Sequence, residues 1–302
     1  MRTARLKIED GCYHVVSRIS GKRFLIDDKE KGILLRDIQA AARFSGVEIF
    51  TYAIMTNHFH LLVRVPKKRE VSDAELTARI YDLYGEARAS AVFEKWEKWK
   101  KQGQEDRVAE EKDRLRARMF DLSQFCKTFK ETYTQGYNKR TGNTGTIWEG
   151  RFKSNLVERS ARALLAVSAY IHLNPVRAEM CESPEDSKWT GFGAACKNWY
   201  YAKIGLQAEF AAIGLANADW PQIKKKFDEI HAGRMAIIKA GKEKAAASVP
   251  KQLLEKKTTE FLHGRAVGSD EFIEHISQLL PPRVHRRSEV VLNLLEDILQ
   301  RG

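Results

Sequence analysis

Apolar and polar side chains alternate early in the chain. CYHVVSR (residues 12 to 18) is β-branched and alternating, which predicts a strand, and Gly21 with the polar residues after it ends the run. From about Asp28 to Phe44 the period changes: Ile33, Leu34, Ile38 and Ala41 recur at helical spacing until Ser45-Gly46 stops them. VEIFTYAIMT (47 to 56) and HFHLLVRVP (58 to 66) read as two more strands joined tightly around Asn57, so antiparallel neighbours are expected. The order to this point is β, α, β, β.

Between Ser72 and about Gln135 the pattern is helical, and much of it is highly charged, as in FEKWEKWKKQGQEDRVAEEKDRLRARM. The expectation is a solvated helix pair with Trp96 and Trp99 packing back on the domain, rather than a DNA-contacting arm. KRTGNTGTIWEGRFKSNLVE then passes from glycine-punctuated turns into a strand near Arg151 to Val157. A helix follows from about Ser160 to Leu173, and Asn174-Pro175 should mark its end, because the residue before a proline is pushed out of the α conformation. Beyond about Tyr200 the chain turns to Ala, Lys and Glu with little β character. AGKEKAAASVP (240 to 250) reads as a helix end and linker, and RSEVVLNLLEDILQR (287 to 301) as an amphipathic helix. The division expected is a domain over 1–200 with a helical insertion at about 72–120, and a helical region over 201–302.

Composition narrows the partner. Fifty-two Lys and Arg stand against 40 Asp and Glu in 302 residues, a net charge of +12, which suits a polyanion such as nucleic acid. Trp148 lies near Arg140, Arg151 and Lys153 in sequence, and a flat ring among cations is expected to stack unpaired bases while the cations hold phosphates. No apolar run approaches the length of a membrane span, and the first residues lack the apolar centre of a signal peptide, so no membrane partner and a cytoplasmic location are expected. Cys12, Cys126, Cys181 and Cys196 are widely spaced, which argues against a thiolate zinc site and a disulfide scaffold.

Two short patterns carry candidate chemistry. In TNHFHLLVRVP, His58 and His60 point to the same side of a strand, and two imidazoles aimed at one point can hold a divalent cation. In SAYIHLNPVRA, Tyr170 and Asn174 stand four apart on one helix face. An amide oxygen is a competent ligand for Mg²⁺ or Mn²⁺, and a tyrosine beside a cation is a candidate nucleophile. His172 is rotated away from that face and is assigned to packing or DNA contact; Tyr133, whose neighbour four residues on is Tyr137, is set aside as a nucleophile.

HFH with its basic strand, then TGTIWEGRFKS, then YIHLNPVRA, in that order, resembles the REP-associated tyrosine transposases, relatives of the single-tyrosine HUH transposases, over roughly residues 9 to 200. The resemblance implies an α+β chain with a ferredoxin-like (RRM-like) antiparallel sheet, the two histidines on a central strand and the tyrosine on a helix packed against it. Carried over residue by residue, it makes His58 and His60 metal ligands, Asn174 the third ligand and Tyr170 the nucleophile, with Trp148, Glu149 and Arg151 near the DNA or the site. The implied activity is metal-dependent nicking and rejoining of single-stranded DNA through a 5′-phosphotyrosine, on hairpins of REP-like palindromes, by a monomer or homodimer. A domesticated hairpin-binding protein without cleavage is the rival from another class, and a phosphodiesterase using water is a second. Thr56 stands where the family often has proline and Glu179 where it usually has glycine, neither a proposed ligand. FLHGRAVGSDEFIEHI resembles a Gly-Ser-x-x-Phe segment found beyond the catalytic domain in larger members.

Overall fold

Residues 7–248 and 266–278 are described by the computed structural model. β1 (Gly11–Arg18), α1 (Asp28–Ser45), β2 (Glu48–Ile54) and β3 (His58–Val65) follow in the predicted order, then α2 (Asp73–Lys101), α3 (Glu105–Arg116) and α4 (Leu122–Thr141). Next come β4 (Lys153–Val157), α5 (Ala161–His172), α6 (Asn174–Arg177), α7 (Gly191–Cys196), α8 (Tyr200–Ala212), α9 (Trp220–Ser248), β5 (Ala266–Val267) and α10 (Asp270–Gln278). The strands form one sheet in the order β2-β3-β1-β4-β5, in which the first four are antiparallel neighbours and β5 lies parallel to β4. This is the α+β, ferredoxin-like arrangement, with a fifth strand added.

Local chemistry explains the boundaries. Asp27 caps α1 by accepting from the Glu30 amide at 2.8 Å, and Gly46, at φ 73°, closes the other end by donating to the Ala42 carbonyl. α5 is capped in the same way by Ser160 and stops at His172; Pro175 then enters the first turn of α6, where its missing amide donor costs nothing. The strand expected from Arg151 begins at Lys153, because the preceding segment is already bonded to β1 through an Ile19–Trp148 bridge and a Glu149 amide donating to the Arg18 carbonyl.

Alternation gives the sheet two faces. On one, Tyr13, Val15, Phe59, Leu61 and Val63 pack under Leu34 and Ile38 of α1 and Phe125, Phe129 and Tyr133 of α4. On the other, Cys12, Leu62 and Val157 pack under Leu164, Val167 and Ile171 of α5. α2 and α3 bury Leu76, Ile80, Trp96, Val108 and Leu115 in a separate cluster that joins the domain at Phe44 of α1, while Trp99 lies half-buried between Lys95 and Arg107. Trp96 therefore packs back on the fold as expected, while Trp99 is held within the insertion.

The region after residue 200 shares these cores: Leu206 and Phe210 of α8 and Phe227 of α9 belong to the first. β5 departs from the helical expectation, since two residues are too few to show a period. Its place is set by Glu158, which accepts from the Ser269 amide at 2.8 Å and the Ser269 hydroxyl at 3.0 Å, while Ser269 in turn accepts from the Phe272 amide at the start of α10. The Gly-Ser-x-x-Phe segment is thus a helix cap docked on the end of β4. The stripe at 287–301 lies outside the described residues, as does the end of the 240–250 linker.

Candidate active site

Three strands bring polar side chains to the face covered by α5. In the β1–β3 register Arg18 stands opposite His58, Val16 opposite His60 and His14 opposite Leu62; β4 extends the rows with Lys153 beside Val16 and Asn155 beside His14. Paired residues share a face, so His14, Arg18, His58, His60, Lys153 and Asn155 all lie on the α5 side. Tyr170, in the last turn of α5, meets this patch edge-on, its ring 5.7 Å from His60 and 5.9 Å from His14 between centroids. The His58 and His60 rings are themselves 5.0 Å apart. The structure therefore brings together His58, His60 and Tyr170, which the sequence separates by more than a hundred residues.

Each imidazole is oriented by a bond to its Nδ1. Asn57 presents its amide nitrogen to the Lys22 carbonyl at 3.1 Å, so its oxygen faces His58 and accepts from Nδ1 at 2.7 Å. Nδ1 of His60 pairs with Nε2 of His14 at 3.0 Å, the two rings stacked. Burial, with Arg18 adding to it, lowers the His58 pKa to about 4, and burial with the neighbouring histidines and arginines holds His60 well below the ordinary value. Both rings are accordingly neutral at pH 7, the form that ligates metals. Asn174 donates its amide nitrogen to the Tyr170 carbonyl at 2.9 Å, which ties it to the end of α5 and reserves its oxygen as the acceptor. Among the described residues no cluster of three or more His, Cys, Asp or Glu stands ready for a metal. The two neutral imidazoles with fixed Nδ1 partners fit a divalent cation that keeps oxygen ligands from water or phosphate, and the Asn174 amide oxygen is the expected third donor.

Tyr170 is 6% exposed. Burial raises its phenol pKa, and Arg177 and Arg18 pull the other way. The Arg177 guanidinium lies 4.9 Å from the Tyr170 ring centroid, one of its terminal nitrogens is buried without a hydrogen bond among the described residues, and burial lowers its pKa. Among the described residues neither Arg18 nor Arg177 forms an ion pair. Two arginines with no carboxylate partner among the described residues, beside a phenol, can bind an anion.

Residues 7–77 match the family described as Transposase IS200 like. Over this segment the chain is similar to the IS200-like transposases. The segment contains β1, α1, β2 and β3, and with them His14, Arg18, His58 and His60; Tyr170 and Asn174 lie beyond it and are placed by the fold. The structure of a REP-associated tyrosine transposase bound to a REP hairpin aligns with 67% of this chain and 90% of that one, at 14% identity and a TM-score of 0.40. No curated protein matches the chain.

Behind the IS200-like segment, polar contacts hold α5 on both sides of Tyr170. Ser168 donates to Glu209 of α8 at 2.6 Å, His172 bonds Thr51 at 2.8 Å and His231 of α9 at 3.2 Å, and Arg234 donates to the Ala166 carbonyl at 2.9 Å. His172 is therefore a buried packing residue. Tyr133 is wholly buried in the opposite core, consistent with setting it aside.

Two candidate DNA contacts are corrected. Trp148 is 5% exposed, packed edge-on to Phe59 and against Tyr133, with its indole N–H donated to Thr134 at 2.9 Å; its ring is core and cannot stack a base. Arg140 is held in a two-pronged ion pair by Glu30 at 3.0 and 2.7 Å, which neutralises the charge a phosphate would need. Lys153 is exposed on the site face, and Arg151 is exposed at an open groove of about 850 Å³ lined also by Lys127 and Gln135. His14, Arg18, Asn155 and Arg177 were not singled out from sequence. His14 and Arg18 share the parity of one alternating strand, which is a usable signal; that this strand pairs with HFH is not visible locally. No helix among the described residues is long and apolar enough to cross a membrane.

Proposed function

We propose that the chain is a transposase that nicks and rejoins single-stranded DNA at hairpin-forming palindromic repeats through a 5′-phosphotyrosine on Tyr170. The observation that carries this reading is the Tyr170 ring held against the His58–His60 pair beside Arg18 and Arg177, which have no carboxylate partners among the described residues. Arg18 and Arg177 bind the non-bridging oxygens of the scissile phosphate and neutralise the charge that builds on them. A Mg²⁺ or Mn²⁺ ion, when held by His58, His60 and Asn174, supplies charge that polarises the same phosphate. The Tyr170 oxygen gives its proton to solvent and attacks phosphorus; the Tyr–O–P bond forms as the bond to the 3′ oxygen breaks, and that oxygen leaves as a hydroxyl after taking a proton from solvent. The phosphotyrosine conserves the energy of the broken phosphodiester, so a 3′-hydroxyl can reverse the step without ATP. The preference for hairpins follows from the likeness of HFH, TGTIWEGR and YIHLNPVRA to REP-associated transposases.

Incubation of the protein with labelled hairpin oligonucleotides and Mg²⁺ or Mn²⁺ should give nicked DNA and an adduct that survives denaturing electrophoresis. Tyr170→Phe should lose both, EDTA should abolish nicking, and His58→Ala should lower it by at least about a hundredfold. A Tyr170→Phe protein that nicks at the parent rate would end the covalent reading. Nicking without an adduct would favour the water-dependent phosphodiesterase, and hairpin binding without nicking the domesticated binder.

A further inference from the structure

With Trp148 in the core, an aromatic ring available to nucleic acid must lie elsewhere. Phe24 is 79% exposed, the most exposed large apolar side chain among the described residues. A lone apolar residue at the surface is ordinary. The loop that carries this one is not. Ile19 and Ile26, both fully buried, anchor its two ends. The Ile26 amide donates to the Thr56 carbonyl at 2.9 Å, the Ser20 amide to the Ile147 carbonyl at 2.9 Å, and the Arg23 side chain to the Ser20 carbonyl at 3.3 Å. Gly21 and Lys22 both take positive φ, 67° and 55°, a turn that throws the next residues outward; for a lysine that backbone is strained and persists because its surroundings hold it.

The loop is also wired to the site. Asn57 uses one end of its amide on the Lys22 carbonyl and the other on His58, so a single side chain fixes both. Lys22 and Arg23, which precede the phenylalanine, are exposed and form no ion pair among the described residues. A ring carried outward on a loop anchored at both ends, cations beside it with no carboxylate partner among the described residues, and a phosphate-binding centre one side chain away form the arrangement that binds unpaired nucleotides.

We infer that Phe24 is the stacking platform of this site: an unpaired base next to the scissile phosphodiester lies on its ring, with Lys22 and Arg23 on the adjoining phosphates. This rests on the functional reading above. Phenylalanine has no hydrogen-bonding group to read a base edge, so the platform holds the strand in register and leaves base identity unread.

Binding is measured in the Tyr170→Phe protein, which leaves the DNA intact, using one hairpin oligonucleotide with an unpaired flank and the same hairpin without it. Phe24→Ala should weaken binding of the flanked hairpin about tenfold to a hundredfold, leave the flankless one unchanged, and leave the melting temperature unchanged because the ring is not in the core. Phe24→Trp should keep the affinity, and the added indole should be quenched by the flanked oligonucleotide alone. An abasic position scanned along the flank should, at one site, erase the difference in affinity between the parent and the Phe24→Ala variant. Equal affinity of parent and Phe24→Ala for the flanked hairpin overturns the assignment. So does loss of a concentration-dependent dimer in Phe24→Ala with DNA affinity intact, which would make a second copy the occupant. The functional reading is judged separately by the adduct: its loss in Tyr170→Phe sustains that reading whatever Phe24 does, and its persistence there overturns that reading alone.

Discussion

Arg177 holds a charge where water is scarce, with a buried nitrogen that nothing among the described residues bonds. An unsatisfied buried donor costs on the order of 1–3 kcal/mol, and a phosphate would satisfy it. Arg177→Met should therefore leave the melting temperature equal or slightly higher while lowering single-turnover nicking at least about a hundredfold, a split between stability and activity that a purely structural arginine would not show. Trp148 behaves in the opposite way. Its ring fills space between Phe59 and Tyr133, so Trp148→Ala should cost about 3–5 kcal/mol in denaturant unfolding, an effect seen without any DNA. The two residues show why a site is only half legible in sequence. The spacing of His58 to His60 and of Tyr170 to Asn174 is local geometry, which a strand or a helix imposes whatever the rest of the chain does. Whether Trp148 faces solvent depends on the path of residues 142–152 over α4, and that is decided by tertiary contacts such as the Trp148–Thr134 bond.

Elements with a period were legible, and so were the ends of α1 and α5, but not the breaks between α2, α3 and α4. α1 needed only its apolar spacing and Gly46, and α5 only its apolar run and the Asn174-Pro175 stop. Packing between elements was not. α8 lies so close to β2 that a methyl group on Gly205 would stand 2.5 Å from the Ile49 carbonyl oxygen and 2.7 Å from that of Phe50. Since both atoms are backbone within a strand, Gly205→Ala should push α8 off β2 and lower the unfolding free energy by a few kcal/mol. Glu209 rides on the same helix and reaches Ser168 of α5, so the displacement should also slow adduct formation at unchanged hairpin affinity, read as a change in rate without a change in Kd.

Across the whole molecule, buried titratable groups give stability a pH dependence of two opposing signs. Burial holds His14 and His231 at about 3 and His58 at about 4 in the folded state, against 6.5 for an ordinary histidine. Between these values the unfolded chain takes up protons that the folded one refuses, so their contribution is complete above pH 6.5 and is lost as the pH falls toward 4. The melting temperature should drop steeply between pH 6.5 and 4.5, followed by calorimetry or circular dichroism. Glu209 acts in the other direction. Burial pushes its carboxyl up to about 8 from 4.5, so it destabilises the fold increasingly as pH rises through that window. Glu209→Gln should stabilise the protein little near pH 5 and most above pH 8, where the gain levels off. The parent at that end gains nothing further from its histidines, so the two melting curves separate cleanly.

β5 sits at the border of the sheet but comes late in the order of elements, pairing Ala266 and Val267 with Leu156 and Val157. During synthesis β4 emerges from the ribosome about a hundred residues before its outer neighbour. The nascent chain must therefore carry an open hydrogen-bonding border on β4 until that later segment has been made. A message cut short before that point yields a protein with a sticky flank, prone to self-association and to capture by chaperones.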